Sequence, residues 1–148
     1  MQLNTKYFGP VECDPAQVLD FPNGLFGFES EKKFVLLPFS GSGGNMLCLQ
    51  SIAAPSPAFI LMNPFSLKPD YAPVLSAEEL ELMGVSQSHE LCYYVMCVVK
   101  DPVGESTVNL HCPVVVSPDL HRAVQVILDT DAYQMRHPLR EFSNRGVG

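Results

Sequence analysis

Short apolar runs cut by glycine and proline predict a mainly β protein, a small antiparallel β-barrel-like single domain with one or two short helices at the rim. Three observations carry this. The runs are short and rich in β-branched and aromatic residues, each is bounded by Gly, Pro, Asn or Asp turn signals, and most are too continuously apolar for an open sheet wet on one face. Lys33-Phe34-Val35-Leu36-Leu37 reads as a buried strand stopped by Pro38. Asn45 to Ile52 follows the Gly41-Ser42-Gly43-Gly44 turn, so the two runs form a hairpin. Ala58 to Met62 lies between Pro57 and Asn63-Pro64. Leu91 to Val99 is the longest strand, and Asp101-Pro102-Val103-Gly104 turns the chain after it. Thr107 to His111 alternates apolar and polar residues, as a half-exposed strand does. Val114-Val115-Val116 and Ala123 to Leu128 complete the set.

One helix has clear ends. Ser76-Ala77-Glu78-Glu79 is a capping-box pattern, with Ser76 as N-cap and Glu79 three residues on. Leu80 and Met83 face inward, and Gly84 supplies the C′ stop. A helix this short gains its stability by resting on the sheet. Residues 1–141 are expected to form the domain and 142–148 a frayed tail.

The chain has 148 residues, of which 47% are hydrophobic and 17% charged, enough apolar material for a core without metal or disulfide support. No apolar run reaches the length of a membrane span, and Met1 to Lys6 lacks the apolar stretch of a signal peptide, which points to the cytosol. The five cysteines include no CxxC and are odd in number, so a disulfide framework is not expected.

The net charge is −7. Nucleic acid affinity rests on basic residues meeting phosphates, so direct RNA or DNA binding is disfavoured, as is an anionic membrane. From Pro69 to Val99 there is no Lys or Arg, while Asp70, Glu78, Glu79, Glu81 and Glu90 all fall there. Such a face suits a basic protein partner, although plain solubility also accounts for acidic composition.

Catalytic constellations are absent. The four His (His89, His111, His121 and His137) and the cysteines have no zinc-framework spacing, and Cys92 and Cys97 face opposite sides of a regular strand. No Gly-x-Ser-x-Gly elbow and no phosphate loop occurs. An enzyme or ligand-binding barrel using a mouth near His111 and Cys112 is the alternative reading, with Cys112 as the first suspect for a nucleophile.

Phe21-Pro22-Asn23-Gly24-Leu25-Phe26-Gly27-Phe28-Glu29 combines turn residues with large apolar side chains. Its aromatics belong either to the core or to a shaped surface for a protein partner. This segment also carries a resemblance. Together with Thr5-Lys6-Tyr7-Phe8-Gly9, Leu49-Gln50-Ser51, Pro57-x-Phe59, Asn63-Pro64, Asp70-Tyr71, Thr107-Val108-Asn109-Leu110, Pro113 to Val116, Gln125 to Leu128 and Arg136-His137-Pro138-Leu139, it resembles the FliW family in order over nearly the whole chain. Cys112 stands where the family usually has Ala, and Ser117 where an Asn is common.

The resemblance implies a non-enzymatic flagellar assembly factor without cofactor or metal. Its implied partners are CsrA, a basic RNA-binding regulator dimer whose repression of flagellin mRNA it relieves, and cytoplasmic flagellin, in a partner switch. The residues expected to meet partners are Asp70, Glu78, Glu79 and Glu81 on an acidic face, Phe26 and Phe65 at an apolar receptor, and the polar pair Gln50 and Ser51, which ends an apolar strand and serves either recognition or ladder capping.

Overall fold

A computed structural model of the chain describes residues 1–87 and 90–145. His89 and residues 146–148 lie outside that description.

The strands in chain order are β1 (Gln2–Thr5), β2 (Gly9–Glu12), β3 (Leu19–Asp20), β4 (Lys33–Pro38), β5 (Met46–Ser51), β6 (Ala58–Met62), β7 (Cys92–Val98), β8 (Thr107–Val108), β9 (Val114–Ser117), β10 (Arg122–Gln125) and β11 (His137–Pro138). Two short helices, α1 (Pro64–Leu67) and α2 (Ala77–Leu82), follow β6. Strands β3 to β7 with β10 and β9 form a ring, because β7 pairs with β6 on one side and with β9 on the other. Strands β8 and β11 branch from β7, and β1–β2 is a separate hairpin. The barrel expectation holds, with one departure from antiparallel pairing: β10 runs parallel to β3, with Arg122 opposite Asp20. His121, at φ 52, sits in the left-handed region at the turn before β10, and its carbonyl accepts from the Asp20 N–H at 2.9 Å.

Closure sorts alternate side chains into two cores. Phe34, Leu49, Leu61, Val114, Val116 and Ala123 point into the barrel with Leu19, Phe21 and Leu25. Tyr93, Val95 and Cys97 of β7, Val115 of β9 and Val124 of β10 point outward into a second core. Tyr71, Leu75, Met83 and Phe142 cover that outer core. Phe142 therefore belongs to the fold, not to the frayed tail in which the sequence reading placed it: its ring has apolar surface to bury and an outer core to bury it in.

Helix α2 has the ends its sequence predicts. The Ser76 side chain accepts from Glu79 N–H, and Glu79 Oε1 accepts from Ser76 N–H at 2.8 Å. At the other end Val85 N–H donates to Leu80 O and Gly84 N–H to Glu81 O, a Schellman pair made with Gly84 at φ 70. Arg122 of β10 donates to Leu82 O at 2.7 Å, which places a cation at the negative end of the helix.

Two expected strands are shorter than their apolar patterns. The Thr107 strand stops at Val108 because Asn109 Oδ1 accepts from the His111 and Cys112 N–H groups and turns the chain. Strand β10 ends at Gln125, although Val126 N–H still bonds Pro113 O and Leu128 N–H bonds His111 O. The β1–β2 hairpin has no strong apolar run. It is held by Thr5, whose hydroxyl donates to Gly9 O and accepts from Phe8 N–H.

Among the described residues, Gly24 is the least replaceable glycine. It lies at φ +64, and a Cβ there would stand 2.6 Å from the Glu29 backbone, whereas Gly27 at φ +85 has open space around it. Gly24→Ala is expected to cost at least about 2 kcal/mol and Gly27→Ala about 1 kcal/mol, from the left-handed penalty with and without the backbone collision. Urea unfolding of the two variants checks the order.

Candidate partner-binding surfaces

The Phe21–Glu29 loop is core and surface at once. Phe21 and Leu25 are fully buried in the barrel, with Phe21 against Phe34 at 5.2 Å between ring centroids. Phe26 and Phe28 remain 49% and 42% exposed. Backbone bonds set this division. Leu25 and Phe28 exchange N–H···O=C bonds, and Phe26 N–H donates to Gln125 Oε1 at 3.0 Å, while Gln125 Nε2 donates to Cys112 O. Glu29 Oε2 accepts from Gly27 N–H, a bond that holds its carboxyl below the usual range. Phe28 stacks edge-on against Phe59 at 5.1 Å, beside a shallow hollow of about 380 Å³ lined also by Pro57, Ala58 and Lys6. The loop thus presents an aromatic surface whose backbone is fixed from beneath.

The acidic residues are only partly brought together. Glu78 and Glu81 lie three apart on α2 and are exposed. Glu79 is half-buried and occupied with its cap. Asp70 is exposed and pairs with Lys68 at 3.1 Å. Phe65 is 40% exposed, with its ring packed on Tyr71 and Tyr93 at 5.7 and 6.2 Å.

Gln50 and Ser51 are a correction. Both are buried, so neither presents a polar group to a partner. Gln50 Oε1 accepts from Lys6 N–H, and its Nε2 lies 3.0 to 3.1 Å from the carbonyls of Ser51, Ala54 and Pro55. It ties the start of the chain and the 52–55 turn to β5. A buried amide left unmade would be costly, which accounts for a glutamine at this position.

The alternative site near His111 and Cys112 does not assemble. Cys112 is buried, and burial pushes its thiol up, against the weaker opposing effect of its bond with Asn109. A nucleophile needs the reverse shift. His111 Nδ1 is buried without a hydrogen-bond partner among the described residues. Among those residues no cluster of His, Cys, Asp and Glu has the makings of a metal site, and no helix is long and apolar enough to cross a membrane.

One surface has no counterpart among the sequence-predicted sites. Val74 and Ile127, 77% and 58% exposed, flank a groove with Asp129. The local signals were the Asp129-Thr130-Asp131 string after an apolar run and the proline-bounded Val74. Neither shows from sequence that the two segments meet.

The geometry defines a class: a small closed barrel that offers fixed apolar and acidic surfaces. Comparison with known proteins gives the family. Residues 2–139 match the model of the FliW protein family. A flagellar assembly factor FliW from Exiguobacterium sp. is 37% identical over 139 residues, covering 94% of each chain. One from Caldanaerobacter subterraneus subsp. tengcongensis is 33% identical, covering 95% of this chain and 94% of that one. A crystal structure of the flagellar assembly factor FliW superposes with a TM-score of 0.87 at 33% identity, covering 94% of this chain and 96% of that one. The chain belongs to the FliW family.

The thiols yield a test. Cys92 is exposed, whereas Cys48, Cys97 and Cys112 are buried and pushed up by burial, Cys48 to about 11. Iodoacetamide is expected to label Cys92 of the native protein well before these three, as read by peptide mass mapping. A thiol raised in the folded state keeps its proton after the unfolded chain has lost it. Its contribution to stability is whole below about pH 8.5, the unfolded value, and is lost as pH rises through the folded one. Melting temperature should therefore fall between pH 8.5 and 11, less steeply in Cys48→Ala.

Proposed function

We propose that this protein is a cytoplasmic, non-enzymatic flagellar assembly factor. In this reading it binds the basic regulator CsrA, relieving repression of flagellin mRNA, and binds flagellin as the competing partner. The observation that carries the reading is the match to the FliW family over residues 2–139, whose named members are flagellar assembly factors. The charge supports it physically. A chain of net charge −7 attracts a basic dimer at long range and repels RNA approaching the same complex. Glu78 and Glu81 are the carboxylates of α2 free of cap duty, so they add to the chain's steering field and are open to direct contact. The exposed Phe26 and Phe28, held on a fixed loop beside Phe59, suit an amphipathic flagellin segment.

Calorimetric titration with CsrA, repeated with flagellin already bound, tests the switch. Tight binding abolished by flagellin is expected, and absence of CsrA binding in both states would overturn it. The variant Glu78→Lys/Glu81→Lys is expected to associate with CsrA about tenfold more slowly at low salt, with the difference shrinking as salt rises. Glu79 is left intact in that test because its loss would cost about 1 kcal/mol of capping. Stopped-flow association at two ionic strengths reads the effect.

A further inference from the structure

The chain on either side of α2 and β10 builds a groove that neither the fold nor the proposed switch requires. One hollow, of about 300 Å³, lies among Val74, Leu75, Glu79, Ile127 and Asp129. A second, of about 250 Å³, continues from Val74 and Asp129 to Ala72, Ala132 and Tyr133. Its walls are held rigidly. Tyr133 Oη accepts from Ala72 N–H at 2.9 Å, the Tyr71 and Tyr133 rings meet at 4.7 Å, and Tyr71 Oη donates to Leu110 O at 2.7 Å.

Three features of the groove specify an occupant. Its floor and lips are apolar, with Val74 and Ile127 among the most exposed large apolar side chains. Its lining includes Asp129 and Glu79, the latter bonded to its own cap, and no Lys or Arg. The backbone is open: Val126 and Leu128 bond inward to Pro113 and His111, while the intervening Ile127, and Val74 across the groove, make no backbone hydrogen bond among the described residues. A strand extension with one paired and one unpaired side is an edge that accepts another strand.

We propose that this groove seats an extended segment of a partner protein in which apolar residues alternate with Lys or Arg. The apolar side chains fill the two hollows, a cation meets Asp129, and the segment's backbone pairs with Ile127. The proposal names a surface that the switch reading does not assign, and it stands or falls independently of CsrA.

The test uses the whole protein and fluorescently labelled, end-blocked octapeptides with alternating Val and Lys, Val and Glu, or Val and Asn. Anisotropy is expected to show the Val/Lys peptide binding at least tenfold more tightly than either other peptide, with affinity falling as salt rises. In isotope-labelled protein, amide shifts should concentrate at residues 72–79 and 126–133. N-methylation of alternate peptide nitrogens should abolish binding, as strand addition requires. The surface variants Ile127→Arg and Asp129→Lys, checked for unchanged melting, should each weaken it at least tenfold. Equal binding of all three peptides, no binding of any, shifts elsewhere, or self-association of the protein that these variants abolish would each overturn the assignment. None of those outcomes touches the CsrA titration.

Discussion

The pairing of β7 with β9 is the constraint on which the remainder depends. It converts a run of hairpins into a ring and gives β7 neighbours on both sides. Once closed, β7 packs the half-buried Tyr94 and Met96 against the barrel core and buries Tyr93, Val95 and Cys97 in the outer core. The outer core is what holds α2, the Tyr71–Leu75 segment and Phe142 in place, since none of these pieces is long enough to be stable alone. The contact joins residues near in sequence, Tyr94 with Val114 and Cys92 with Val116, whereas the closure of β10 on β3, Arg122 opposite Asp20, spans most of the chain and depends on the intervening hairpins already being in register.

Polar side chains at the seams, buried or half-buried, do the complementary work. Gln50 joins the start of the chain to β5, Gln125 joins the Phe26 backbone to Cys112, Asn109 ends a strand, and Arg122 closes a helix. Each satisfies backbone groups that irregular connections leave without a ladder partner. The consequence for recognition is direct. Polar residues spent on the frame are not available to a partner, while Phe26 and Phe28 are exposed because the backbone beneath them is satisfied by other groups.

The acidic charge divides in the same way. Glu79 caps α2 and Asp70 lies beside Lys68, leaving Glu78 and Glu81 on the helix and Asp129 on the groove. A long-range field depends on total charge and survives these local pairings, whereas a specific contact needs a carboxylate with a free lone pair. Attraction of a basic partner is thus a property of the whole chain, and its seating a property of a few residues.

Much of this was legible in the residues alone. The Ala58–Met62 strand, the β4–β5 hairpin and the capping box with its Gly84 stop follow from local rules: turn glycines, period and reciprocal capping act over a few residues and need no distant partner. The FliW resemblance rested likewise on ordered local motifs. Other features were decided only by the closed barrel. Gln50 and Ser51 read as a polar pair at a strand end, and tertiary packing buried both, with Gln50 accepting from Lys6 near the start of the chain. Phe142 read as tail until an outer core existed to receive it. The early end of the Thr107 strand depends on an Asn109 side chain that turned inward to the backbone. The groove at Val74 and Ile127 unites segments about fifty residues apart, and no local rule carries a contact across that distance.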